Sequence, residues 1–84
     1  MTADRPIRVL LFARYADLVG REQVELPGEA GLTVTRVVER VRALPGGAGI
    51  PRAPLVAVNL RQAEPDTVVE PGDEVAVLPP LAGG

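Results

Sequence analysis

A single stretch of this chain repeats its apolar residues with the period of a full-length helix, and that stretch decides what the remainder must be. Val34, Val37, Val38, Val41 and Leu44 follow the i, i+3, i+4, i+7 spacing of one helix face. Thr33 stands at the N-cap position, and Leu32 and Val37 occupy the two positions of a hydrophobic staple. Arg36, Glu39, Arg40 and Arg42 lie off the stripe. Valine is only a moderate helix former, so this helix needs a surface to pack on. No second stretch offers a helix of similar length. The surface has to be a sheet.

The strands are legible on either side of the helix. Ile7 to Phe12 is apolar nearly throughout, as a central strand should be, with Ile7, Val9 and Leu11 on one face and Arg8, Leu10 and Phe12 on the other. Ala13 to Val19 reads as a short helical turn that Gly20 ends in a left-handed conformation. Glu22 to Leu26 alternates polar and apolar, the pattern of a half-buried edge strand, and Pro27-Gly28 closes it. Residues 45–54 read as a surface loop rich in Gly and Pro. A phosphate cradle there would need a preceding strand, a following helix and a Lys, and has none of them. Leu55 to Asn59 reads as a buried strand, Leu60 to Asp66 as a turn with a short irregular return, and Pro71-Gly72-Asp73 as a turn. Val75 to Leu78 is the last strand. Four to five strands and one main helix in this order predict an α+β, β-grasp (ubiquitin-like) domain spanning residues 1–84, with parallel central strands.

Composition narrows the chemistry. The 84 residues contain no Cys and no His, which removes disulfides, thiol nucleophiles, Ser-His and Cys-His dyads and nearly all zinc or iron sites. No loop has the ligand spacing of a calcium site. An active site made by this chain alone is not expected, nor is any bound cofactor or metal. Phe12 and Tyr15 are the two aromatics, so the core is expected to consist of Val, Leu, Ile and Ala. All nine basic residues are Arg, which leaves no side-chain amine for attachment. Residues 1–60 hold eight Arg and six acids (8 − 6 = +2), whereas residues 61–84 hold Arg61 and five acids (1 − 5 = −4). An acidic region leading to the end argues against nucleic acid and suits a basic partner cleft, although a plain solvated acidic surface accounts for it more simply. With no long apolar span and no signal peptide, the expectation is a soluble cytoplasmic domain without membrane contact.

The last six residues, Pro79-Pro80-Leu81-Ala82-Gly83-Gly84, read as a protruding, flexible tail. Two prolines end ladder pairing and favour an extended exit. Six residues span up to ~20 Å. Gly83 and Gly84 lack a Cβ, so this end can enter a narrow slot. The pattern is that of a carboxylate on a stalk.

Taken together, Ile7-Arg8-Val9-Leu10-Leu11-Phe12-Ala13, Leu18-Val19-Gly20, Thr33-Val34, Val56-Ala57-Val58-Asn59, Gly72-Asp73-Glu74-Val75-Ala76 and the Leu78 to Gly84 ending resemble the MoaD/ThiS family of sulfur carriers. The Pro-Pro, hydrophobic, small residue, Gly-Gly ending is similar to the branch that forms the small subunit of molybdopterin synthase. Leu81, where that branch usually has Val, and Leu60, where a polar residue or Gly is common, depart from the pattern. The resemblance implies a non-catalytic sulfur-donor subunit in molybdenum cofactor biosynthesis. An E1-like adenylyltransferase/sulfurtransferase would adenylate Gly84, and sulfur would then replace AMP. The modified states are thus a glycyl adenylate, which is where nucleotide enters, and a 1-thioglycine thiocarboxylate. The synthase large subunit, in a heterotetramer of two small and two large subunits, would accept the tail for sulfur transfer to a pterin precursor. Gly84 is the reacting residue, Gly83 lets a tunnel close around it, and Pro79 to Ala82 form the stalk.

Other recipients fit the same ending: thiamine thiazole, tRNA thiolation or cysteine synthesis. A ubiquitin-like modifier or a plain interaction module is the different-class alternative. Docking is expected on the sheet face away from the helix, through Leu10 and Phe12 by parity and through Leu78 by the resemblance. The alternative is that the N-terminal residues or the 45–54 loop cover that face.

Overall fold

The computed structural model describes residues 5–80. Their elements are β1 (Ile7–Leu11), α1 (Arg14–Val19), β2 (Gln23–Leu26), α2 (Val34–Arg42), a single 3₁₀ turn at Gly47–Gly49, β3 (Leu55–Val58), β4 (Arg61–Gln62) and β5 (Glu74–Leu78). The five strands form one mixed sheet in the order β2-β1-β5-β3-β4. β1 and β5 run parallel at its centre, while β1–β2, β3–β5 and β3–β4 are antiparallel. α2 packs on one face. This is the β-grasp arrangement of an α+β domain.

The helix forms where its stripe demanded it. Thr33 Oγ1 accepts the backbone N–H of Arg36 at 3.3 Å, and Val34, Val37, Val38 and Val41 are buried. Burying a valine completely contributes about 1.5–3 kcal/mol relative to leaving it in water. The other half of the core comes from the strands: Ile7, Val9 and Leu11 of β1, Val24 and Leu26 of β2, Val56 of β3, and Val75 and Val77 of β5. β1 alternates as its parity required. The helix stops at Arg42, so Leu44, which the stripe placed within it, lies beyond its end and packs on the core from the following turn.

Three expectations change. Tyr15 is buried, so one aromatic does enter the core. β3 is not buried throughout: Val56 is covered, while Leu55 and Ala57 turn to the other face. β3 ends at Val58, the return contains the two-residue strand β4, and Asn59 belongs to the turn between them.

The 45–54 segment is also not a loose surface loop. Gly47 and Ile50 are buried, and Arg42 at the end of α2 donates from Nε to the Ile50 carbonyl at 2.6 Å and from Nη2 to the Ala48 carbonyl at 3.3 Å. Its glycines allow backbone to lie on backbone. A Cβ on Gly46 would fall 1.9 Å from the Leu18 carbonyl oxygen, and one on Gly47 would fall 2.1 Å from that of Val41. The segment ties α1 to the end of α2 on the helix side of the sheet. It leaves the other face uncovered.

Two tight turns carry strain. Tyr15 donates its N–H to the Phe12 carbonyl across a four-residue turn whose second residue, Ala13, has φ 53° and ψ −127°, a conformation of type II′ turns that glycine adopts far more readily. The β3–β4 hairpin turns through Asn59 at φ 50° and Leu60 at φ 72°. Asn tolerates this region, and its side chain is used there: Oδ1 accepts the Glu74 N–H at 3.0 Å and Nδ2 donates to Asp73 Oδ1 at 3.0 Å. Leu60 has no such compensation and is 89% exposed.

The Leu60→Gly variant should therefore be more stable. Relief of ~1–2 kcal/mol of left-handed strain outweighs the ~0.5–1 kcal/mol entropic cost of glycine. A net gain of about 0.5–1 kcal/mol corresponds to a rise of roughly 3–6 °C in the unfolding midpoint of a domain this size. Gly47→Ala should act in the opposite direction, losing about 2 kcal/mol or more because backbone must move to admit the methyl group. Thermal or urea unfolding of both variants beside the parent chain checks the pair.

Candidate functional site

The parallel pairing of β1 with β5 fixes where the chain leaves the sheet. Both strands end at the same edge, with Leu10 opposite Ala76 and Leu11 opposite Val77. Continuing that register by one residue sets Phe12 level with Leu78. Pro79, half-buried, and Pro80, exposed, follow directly and lie outside the ladder. Leu81, Ala82, Gly83 and Gly84 lie outside the described residues.

Alternation then assigns the face. In β5, Val75 and Val77 point into the core, so Glu74, Ala76 and Leu78 point away from α2. Cross-strand partners share a face, which adds Leu55 opposite Leu78, Ala57 opposite Ala76, and Gln23 opposite Leu10. Leu10 and Leu78 are half-buried, while Phe12 is 43% and Leu55 39% exposed. The open face is thus graded. At its far end Arg8 donates to Glu74 Oε2 at 3.1 Å, and Glu25 stands across from Arg8. At the tail end the strand residues are Leu10, Ala76, Leu78, Leu55 and Ala57, with Phe12 just beyond β1.

Leu10, Phe12 and Leu78, the three residues expected to dock a partner, come together beside the exit of the tail. Leu55 was missed because its strand reads as buried in sequence. Its signal was parity against Val56, which becomes decisive only once β3 is known to pair antiparallel with β5. Leu10 and Phe12 also line a shallow concavity with Asp17, Glu22 and Gln23 at the corner of β1, α1 and β2. Among the described residues no group of three or more acidic side chains is placed to hold a metal ion. No helix there is long and apolar enough to cross a membrane. Among the described residues the surface offers an apolar patch next to a strand end.

The ThiS family profile matches residues 9–84. The human molybdopterin synthase sulfur carrier subunit is 33% identical over 84 residues, covering 93% of each chain. Among solved structures, H. volcanii small archaeal modifier protein 1 superposes with a TM-score of 0.80 at 21% identity, covering 92% of this chain and 99% of that one. A complex of subunits 1 and 2 of the molybdopterin-converting factor from Helicobacter pylori contains a chain that matches with a TM-score of 0.67 at 19% identity, over 94% of this chain and 99% of that one.

The assignment of faces is tested by a pair of neighbouring substitutions. Phe12→Glu should leave the fold standing, with stability changed by no more than about 0.5–1 kcal/mol, because the side chain is already half in water. Val9→Glu, three residues away and fully buried, should abolish the cooperative unfolding transition through burial of an unpaired charge. Near-ultraviolet and far-ultraviolet circular dichroism melts distinguish them. Equal loss in both variants would place Phe12 in the core.

Proposed function

The chain belongs to the ThiS family, and from that premise we propose that it is a sulfur carrier serving as the small subunit of a molybdopterin synthase. The observation that carries this reading is the near-full-length identity to a molybdopterin synthase sulfur carrier subunit. The family match also runs through the Pro79-Pro80-Leu81-Ala82-Gly83-Gly84 segment to residue 84. The Helicobacter pylori complex supports a larger subunit as the partner.

In this reading the Gly84 carboxylate oxygen attacks the α-phosphorus of ATP on an E1-like enzyme, and pyrophosphate leaves. The resulting mixed anhydride is an electrophile, which the free carboxylate is not. A nucleophile at the oxidation level of sulfide, supplied from outside the chain, then attacks the acyl carbon, AMP departs with the bonding pair, a proton goes to solvent, and the end becomes a thiocarboxylate. That sulfur is passed to the pterin precursor inside the large subunit. Every acid, base and thiol in this sequence belongs to the partners, consistent with a chain that has no Cys or His. The carrier contributes a reactive end at Gly83 and Gly84, a stalk from Pro79 to Ala82, and the docking patch of Leu10, Phe12, Leu55 and Leu78. An exposed apolar patch of this kind beside the reacting end suits protein–protein docking.

Incubation with ATP, an E1-like enzyme of this pathway and a sulfur donor should raise the intact mass by the exchange of one oxygen for sulfur, mapped to Gly84. A chain lacking Gly84 should keep the parent unfolding midpoint and take up no sulfur. Phe12→Glu should load sulfur only weakly and bind the large subunit at least tenfold less tightly, a loss of about 1.4 kcal/mol. Unchanged mass with an enzyme competent on another carrier would overturn the proposal.

A further inference from the structure

Beside the apolar patch the surface turns inward at the corner of β1, α1 and β2. The hollow measures about 570 Å³; Leu10, Phe12 and Ala16 give it an apolar lining, and Asp17, Glu22 and Gln23 a polar one. Backbone hydrogen bonds fix both acidic residues in place. Asp17 donates its N–H to the Ala13 carbonyl at 3.3 Å, and the Glu22 carbonyl accepts the Leu11 N–H at 2.9 Å. Leu10 and Phe12 belong to the docking patch as well, so hollow and patch form one continuous surface.

Both carboxylates are exposed and lack a counter-ion. Among the described residues the ion pairs are Arg8–Glu74, Arg36–Glu39 and Arg40–Glu29, and neither Asp17 nor Glu22 takes part. Arg21 lines the adjoining hollow with the same two acids and pairs with neither. The acids at the opposite end of the sheet differ. Glu74 holds Arg8, and Asp73 accepts the Glu70 N–H at 2.8 Å and the Asn59 amide at 3.0 Å. Two unpaired negative charges beside apolar side chains favour a cation that brings an apolar stem of its own. An arginine side chain meets that description. Its guanidinium carries five donors and can serve two carboxylates, and its face can lie on the Phe12 ring.

We propose that this hollow takes an arginine side chain of the protein that seats on the apolar patch, so that Asp17 and Glu22 set the charge a partner must carry beside its apolar contact. The proposal rests on the docking role of the patch in the sulfur-carrier reading. Charges at the rim of an interface act chiefly on encounter and on partner choice, so their loss shows in the association rate and its salt dependence.

Butylguanidinium chloride, which carries the stem and head of arginine without its backbone, tests the hollow directly. It is titrated at constant ionic strength into the ¹⁵N-labelled parent chain and into the double variant Asp17→Asn, Glu22→Gln. Both substitutions keep side-chain size, and the spectra report the fold of each chain. In the parent the amides of Ala16, Asp17, Glu22 and Gln23 should shift along saturating curves, and in the double variant the response should fall roughly fivefold or more. A parent response no larger than that at Glu64 and Asp66, exposed acids away from the hollow, would overturn the proposal, as would equal responses in the two chains. Shifts at the same amides on raising the protein concentration alone would assign the hollow to a second copy of the chain and overturn it too. Against the synthase large subunit, the double variant should associate about tenfold more slowly at low salt, with the gap closing at high salt. An unchanged rate, where Phe12→Glu does weaken binding, would also overturn it. Failure of the parent chain to bind the large subunit would count against the molybdopterin synthase reading alone, and the butylguanidinium titration would still decide the hollow.

Discussion

The structure depends on one pairing, that of β1 with β5. The two strands come from opposite ends of the chain and lie side by side in parallel, so everything between them has to cross from one end of the sheet to the other. A parallel crossover requires a long connection, which α2 supplies. The pairing also sets the valine stripe of α2 against Val9, Val75 and Val77, all three inaccessible or nearly so. It sets Phe12 and Leu78 at a common edge as well, so the same ladder that closes the core defines where the tail begins and what lies beside it.

Among the described residues, α2 packs on one face of the sheet and no element packs on the other. The chain limits the cost of that exposure in two ways. Ala57 and Ala76 keep the middle of the open face shallow, and the Arg8–Glu74 pair makes one end polar. That exposed pair contributes at most about 1 kcal/mol, so its value lies more in solubility than in stability. Leu18, Leu60 and Val68 are exposed elsewhere on the domain, while among the described residues of that face the large apolar groups stand at the tail end. Their restriction to that end is a stronger sign of docking than exposure alone, because single apolar residues on a surface are ordinary.

Much of this was legible in the sequence, and the reasons are particular. The α2 stripe and the parity of β1 are local periodic signals backed by burial, and both elements formed, each ending a residue or two short of its reading. What escaped depended on distant contacts. The glycines of 46 and 47 looked like loop composition because the carbonyls of Leu18 and Val41 that they admit lie in other elements. Leu55 could not be given a face until its partner in β5 was known. The strain at Ala13 and Leu60 had no sequence signal at all, since neither residue type announces a positive φ. The tail was read from sequence as Pro79 to Gly84, and its residues from Leu81 to Gly84 lie outside the described residues.

In the proposed function, the lack of Cys and His and the placement of the apolar patch are two consequences of one division of labour. A carrier must be activated on one protein and discharged on another, so any catalytic group it held would act in both settings and at all times between. Delegating acid, base and thiol to the partners keeps the loaded end inert in transit. Recognition then has to come from a surface that both partners can read, and that surface must lie at a fixed distance from the reacting carbon. The β1–β5 ladder meets that requirement. Its register holds Leu10, Phe12, Leu55 and Leu78 beside the point where the stalk leaves, so a partner that seats the patch sets the origin of the stalk. A docking patch on α2 or at the Leu60 hairpin would leave that origin a full sheet-length or thickness away. On the proposed docking role, the tail end of the open face is where a partner would meet the described residues nearest the start of the stalk.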